Sequence, residues 1–263
     1  MTKKNIRELK IVKIGCCGDI EEREMLEKKG FDFIECPVAV PMNLKESELK
    51  EIIQDEDLNL PFYAFNCFIP GNLKICGDKV DFSALEDYVE EACQKINLLG
   101  GKIIVFGSGG ARRVPEGFSS KKAWNQIKDF LTMVNKYFRK NDITIAIEPL
   151  NQEETNILNS LKESIKMAEE VNLEKIKVLV DIYHLEKENE SYNNIIEAGD
   201  RLAHVHVADT GRLYPGSGEY DYDTLFENLE KINYNNGISI ECKWNNKAEE
   251  SDKALKFLKT KID

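Results

Sequence analysis

Histidine is scarce in this chain. There are three, His184, His204 and His206, among 263 residues. That excludes a multinuclear zinc centre built mainly from imidazoles, of the kind a trinuclear zinc nuclease would need. Excess positive charge is also absent: the net charge is −11 and the pI about 5.0. An acidic chain is repelled by nucleic acid and by anionic membranes, so neither is expected as a partner. No stretch approaches the roughly 20 apolar residues of a membrane span. The basic start, Met1 to Arg7, has no apolar segment behind it and does not read as a signal peptide. There is no Cys-x-x-Cys spacing, and the seven cysteines are odd in number, with Cys16 and Cys17 adjacent. A reduced, cytoplasmic chain is the simplest expectation. No run of Pro, Gly or Ser divides the chain, so residues 1–263 are expected to form one domain.

What is present is an alternation of short apolar runs with longer amphipathic ones. The runs at 11–14, 31–35, 62–65, 102–106, 144–148, 177–181, 202–207 and 238–241 are β-branched and nearly all apolar, as strands buried on both faces are. Helical stripes lie between them. One carries Leu85, Val89, Ala92 and Ile96; another carries Trp124, Ile127, Leu131, Val134 and Phe138. Ser83 to Glu86 and Ser160 to Glu163 read as capping boxes. Eight strands separated by helices predict a single-domain (β/α)8 TIM barrel, with an open doubly wound sheet as runner-up. The long segment 68–81 then lies on the active-site face.

Four of the runs end in a good metal ligand: Glu148, Asp181, His206 and Glu241. Side chains at i and i+2 share a strand face. If Ala146, Leu179, His204 and Ser239 point inward, the four ligands converge at one barrel mouth. Three carboxylates and one imidazole suit Mn²⁺, Mg²⁺ or Co²⁺ better than a structural zinc. His204, one layer deeper, reads as a core histidine or a support for a ligand. Arg112 and Arg113 follow Gly107-Ser108-Gly109-Gly110 and read as a solvated basic turn, with an anion anchor as the alternative. Cys67 and Cys242 have no base partner and read as inert thiols.

These residues resemble the xylose isomerase-like TIM barrels, the sugar phosphate isomerase/epimerase superfamily. Glu148-Pro149-Leu150-Asn151, Asp181-Ile182-Tyr183-His184, His204-Val205-His206 with Arg212, Pro215-Gly216-Ser217-Gly218 and Glu241 carry the likeness, and within the superfamily they are similar to the D-tagatose/D-psicose 3-epimerase group. The resemblance implies one divalent ion, Mn²⁺ first and Mg²⁺, Co²⁺ or Zn²⁺ as alternatives, on Glu148, Asp181, His206 and Glu241. It implies Glu148 and Glu241 as the acid/base pair. His184, Arg212 and Glu154 match substrate-binding positions. Asn66, Arg113 and Trp244, near the same mouth, are expected to join them. The expected function is a metal-dependent sugar isomerase or epimerase working through an enediolate, with ketose 3-epimerisation foremost. Aldose–ketose isomerisation of the hydroxypyruvate type, an inosose or dehydroshikimate-type dehydration, and a non-catalytic sugar-binding role are the alternatives. The segment Val207-Ala208-Asp209-Thr210-Gly211 is closer to the hydroxypyruvate isomerase and inositol-catabolism branches. The expected partner is a sugar or sugar phosphate, and a homodimer or homotetramer is common among such barrels.

Overall fold

The apolar runs become eight parallel strands that close on themselves. A computed structural model describes residues 12–55 and 57–262. The strands are β1 (Lys13–Cys17), β2 (Phe33–Pro37), β3 (Phe62–Asn66), β4 (Ile103–Phe106), β5 (Thr144–Ile147), β6 (Ile176–Asp181), β7 (Leu202–Val207) and β8 (Gly237–Ile240). Each pairs with the next, and β1 pairs with β8 through Ile14 opposite Ile238, which closes the barrel. The (β/α)8 barrel is therefore the fold, and the open sheet is excluded. The first strand lies later than expected, and Ile11 falls outside the described residues, as does the basic start at Met1 to Arg7. The second also runs on by two residues, so Glu35 lies inside β2 rather than at its end.

Helices fill the crossovers. They are α1 (Arg23–Lys29), α2 (Ala39–Met42), α3 (Glu46–Ile53), α4 (Phe82–Leu98), α5 (Gly109–Arg112), α6 (Ser120–Phe138), α7 (Leu161–Val171), α8 (Ile182–Lys187), α9 (Asn194–Ala198), α10 (Tyr222–Lys231) and α11 (Lys247–Ile262). The stripe on α4 buries Leu85, Val89, Ala92 and Ile96, and that on α6 buries Ile127, Leu131, Val134 and Phe138. None of the described helices is long and apolar enough to cross a membrane. Both capping-box expectations need correction. The N-cap of α4 is Asp81, which accepts from the Ala84 N–H at 3.0 Å, and Ser83 already lies in the first turn. An aspartate two residues upstream competes with serine for the same role and wins here. Ser160 does cap α7, but Glu163 accepts from the N–H of Asn159 rather than that of Ser160.

Two apolar cores result. The larger lies between strands and helices. The smaller, inside the barrel, is Ala64, Ile103, Val105, Ala146, Leu179 and Ala203. Ala146 and Leu179 point inward, so Glu148 and Asp181, two residues further along, point to the mouth. Three of the six interior residues are alanines, which leaves volume for the polar side chains above them. The segment after β3 reaches the same mouth. Phe68 is fully buried against the rings of Tyr88, Phe130 and Phe138, and Ile75 N–H donates to Ala111 O at 2.9 Å. All seven cysteines are free thiols. Burial raises the thiols of Cys67 and Cys242, to about 11 at Cys67, in keeping with inert groups.

Candidate active site and metal centre

Glu148 follows β5, Asp181 ends β6, His206 lies in β7 and Glu241 follows β8. One donor atom from each lies within 4.8 Å of the others. His206 Nδ1 is 3.3 Å from Glu148 Oε1 and 3.4 Å from Glu241 Oε2. Glu148 Oε1, Asp181 Oδ2 and His206 Nδ1 are buried and have no hydrogen-bond partner. Buried polar atoms are rarely left so, because each costs about 1–3 kcal/mol. Three of them aimed at one point, from a hard oxygen-rich set, fit a divalent cation. A bound cation would satisfy all three and offset the repulsion among the carboxylates.

That repulsion shows in the titration of the site. Burial raises the Asp181 carboxyl well above its ordinary range, and the charges of Glu241 and Glu148 raise it further. Burial likewise raises Glu148. Burial also opposes ionisation of Glu241, but His206 and Arg212 outweigh it and hold that carboxyl at about 2. The two flanking carboxyls are thus unequal, as the members of an acid/base pair are.

Arg212 acts on Glu241 after His206. Its Nη2 lies 2.6 Å from Glu241 Oε2 and 3.8 Å from Asp181 Oδ2; its Nη1 lies 3.2 Å from Glu154 Oε1. The guanidinium sits 4.6 Å above the Tyr183 ring. Its backbone is left-handed, at φ 63°, which costs a non-glycine residue about 1–3 kcal/mol. Bonds on both sides hold it there: Arg212 N–H donates to Asp209 O, and Lys243 N–H donates to Arg212 O. Asp209 is a hub of the loop, its carboxylate accepting from the N–H groups of Thr210, Gly216 and Tyr220.

His184 is buried in α8. Its Nδ1 accepts from the Asn151 N–H at 3.1 Å. Burial and the charge of Arg212 lower its pKa to about 3, so the ring is neutral. With Nδ1 accepting, the single ring proton sits on Nε2, 3.5 Å from Asp181 Oδ2 and free to donate to a ligand. Asn151, which fixes this tautomer, also binds Glu154 through Nδ2 at 3.1 Å.

A cleft of about 400 Å³ opens over these groups. Glu148, Glu241, Arg212, Glu154 and Asn66 line it, together with Cys67, Ile69, Pro70, Leu150 and the backbone of residues 107–110. Asn66 is buried, donates to Cys17 Sγ at 3.4 Å and keeps Oδ1 unpartnered. Arg113 is exposed and donates to the carbonyl of Glu154 at 2.8 Å. Trp244 is half-buried against the outer core. The expectation of a solvated turn fails at Arg112, which is fully buried, donates to Phe106 O and Leu158 O, and stacks on the Phe106 ring. Each of those carbonyls also accepts a backbone N–H, from Glu148 and Leu150 respectively, so the guanidinium adds a second donor to each and ties the β4 end to the segment before α7.

Glu35 was not singled out in the sequence. It is fully buried, accepting from His206 Nε2 and His204 Nε2 at 2.8 Å each and from Ser239 Oγ at 2.6 Å. Burial alone would raise its carboxyl, but the two histidines hold it well below the ordinary range. The signal was there: the run at 31–35 ends in a carboxylate just as the ligand-bearing runs do. His204 is accordingly a core histidine that supports the site.

Residues 24–261 match the xylose isomerase-like TIM barrel family. The L-ribulose 3-epimerase of Methylomonas sp. (strain DH-1) is 26% identical over 256 residues, covering 88% of this chain and 87% of that protein. The hydroxypyruvate isomerase of Escherichia coli (strain K12) is 29% identical over 212 residues, covering 77% and 80%. The crystal structure of a D-allulose 3-epimerase from Methylomonas sp. in complex with D-allulose superposes with a TM-score of 0.84 at 22% identity, covering 96% of this chain and 98% of the other. This last likeness is one of fold.

Proposed function

The chain belongs to the xylose isomerase-like TIM barrel family, and from that premise we propose that it is a divalent-metal-dependent ketose 3-epimerase. It is an enzyme of the isomerase class. The observation that carries the reading is the cluster of Glu148, Asp181, His206 and Glu241, which has three partnerless donor atoms and two members, Glu148 and Glu241, that line a sugar-sized cleft. These four residues would hold the ion, Mn²⁺ first. When bound, it would polarise the substrate carbonyl and lower the cost of negative charge on the adjacent oxygens.

The protein's own groups account for the rest. Glu241, kept ionised by His206 and Arg212, removes the proton from the carbon beside the carbonyl in one direction. Glu148, whose carboxyl is raised, returns a proton to the opposite face, and the roles exchange in reverse. The His184 Nε2–H donates to a substrate oxygen. Arg212 and Glu154 orient the remaining hydroxyls, and Asn66 Oδ1 accepts from one. The substrate is an unphosphorylated sugar: among the described residues lining the cleft Arg212 is the one cation, and it already faces three carboxylates. Arg113 is committed to backbone carbonyls.

Aldose–ketose isomerisation is the second reading, favoured by the similarity to hydroxypyruvate isomerase. Incubating the Mn²⁺-loaded protein with ketoses and aldoses in D₂O separates the two. Deuterium at C3 with inversion supports the epimerase; deuterium at C1 of a ketose with aldose formation supports the isomerase. Glu241→Gln is expected to lose on the order of 10²–10⁴-fold in turnover. Full activity in that variant, or no exchange with any sugar in protein holding metal, refutes the mechanism.

A further inference from the structure

Glu35 is not among the residues lining the cleft, yet it touches a residue that meets the proposed ion. Resting on the reading that Glu148, Asp181, His206 and Glu241 hold a metal, we infer that Glu35 is a positioning residue that keeps the His206 ring proton on Nε2, so that the Nδ1 lone pair faces the site.

With a cation in the site His206 would be a neutral imidazole, with one ring proton and two places for it. In His206 each place has carboxylates nearby. On the site side, Nδ1 is 3.3 Å from Glu148 Oε1 and 3.4 Å from Glu241 Oε2. On the core side, Nε2 is 2.8 Å from Glu35 Oε1. The shorter bond holds the proton on the core side. Without Glu35, the remaining carboxylates favour the proton on Nδ1, and a ligand becomes a donor pointing at its fellow ligands. Metal-binding histidines usually depend on such a partner for tautomer and orientation.

Glu35 cannot swing away. Ser239 Oγ and His204 Nε2 both donate to its other oxygen, at 2.6 and 2.8 Å, and the side chain is fully enclosed. The bonds run from β2 to β7 and β8, across β1. His204 and Ser239 thus serve the site through Glu35, which accounts for polar groups in a barrel interior otherwise closed by apolar side chains.

The test is Mn²⁺ titration by calorimetry into the full-length wild type, Glu35→Gln and Glu35→Leu, with metal-free melting curves to verify folding. Glu35→Leu is expected to bind Mn²⁺ about 10–100-fold more weakly. Glu35→Gln keeps an oxygen that accepts from Nε2–H and is expected to stay within about threefold. Equal affinity in folded Glu35→Leu overturns the inference. So does an equal loss in both variants, which would make the charge and not the acceptor responsible. If Glu35→Leu does not fold, nitrogen-15 NMR of the Zn²⁺-loaded wild type decides, with three histidines to resolve. A slowly exchanging His206 proton on Nε2 with Nδ1 unprotonated supports the assignment; a proton on Nδ1, or ligation through Nε2, overturns it. A wild type that binds no Mn²⁺ refutes the metal reading as well, whereas binding that Glu35→Leu leaves unchanged refutes this inference alone.

Discussion

Glu148 owes its position partly to a side chain that is missing beside it. Gly107 follows β4, and a Cβ built there would lie 2.2 Å from Glu148 Oε2. No rotation of the methyl group relieves that contact, so Glu148 must move. Gly107→Ala therefore displaces a proposed ligand and acid/base group from a residue that does no chemistry itself. A displacement near 1 Å costs on the order of 10²-fold in rate, and a similar loss in kcat/KM is expected, with weaker Mn²⁺ binding. The measurement is kcat/KM on the preferred ketose beside a metal-free melting curve. Wild-type kinetics in the variant would show that Glu148 adapts freely. Gly107 stands in the sequence as one glycine among several in Gly107-Ser108-Gly109-Gly110, and nothing in the string marks it as the neighbour of Glu148. That proximity is a product of the β4–β5 pairing.

At the scale of elements, the sequence was most legible where one physical demand set it. Strands covered on both faces must be apolar, so eight runs stand out, and a carboxylate or imidazole ending a run is conspicuous. Ends were less legible. Residues 15–17 of β1 are Gly-Cys-Cys, which carry little strand signal, and Glu35 passes unmarked although its run ends in a carboxylate as that of Glu148 does. Arg112 misled because charge normally means solvent, while one of the two buried carbonyls it binds, Leu158 O, belongs to a segment 46 residues away. The segment after β3 shows how an element can be tied from outside itself. Tyr88 on α4 donates its hydroxyl to Phe68 O at 2.9 Å, and burial raises its pKa to about 12. A phenol free of the fold titrates near 10. The folded pKa is raised, so the contribution to stability is complete below about pH 10 and is lost as the pH rises to about 12. Tyr88→Phe is expected to cost about 1 kcal/mol at neutral pH, and the gap from wild type should narrow between pH 10 and 12. Urea denaturation at pH 8 and across the alkaline range tests this; a gap that stays constant rules out Tyr88 as the titrating anchor.

For the whole molecule, the site is also a point of stored repulsion. The strands β5, β6, β7 and β8 are consecutive around the barrel, and each brings one proposed ligand to the same place. The raised carboxyls of Asp181 and Glu148 record what this arrangement costs without a cation. An ion binding the folded barrel stabilises it by mass action, about 2.7 kcal/mol at a free concentration 100 times Kd. For a chain of this size each kcal/mol raises the melting midpoint by roughly 2–4 °C, so saturating Mn²⁺ should raise it by roughly 5–10 °C and a chelator should reverse the shift. Because the four proposed ligands come from one half of the barrel, amide exchange should slow most at the C-terminal ends of β5 to β8 and least in β2 to β4. Calorimetric scans and exchange mass spectrometry, with and without Mn²⁺, measure both effects. Stabilisation spread evenly over all eight strands would mean that the cation acts on the chain as a whole, and an unchanged midpoint would mean that the four donors do not take it up. Protection confined to β5 to β8 would place the cation among those donors, beside Glu148 and Glu241, the two carboxyls proposed to work on opposite faces of the sugar.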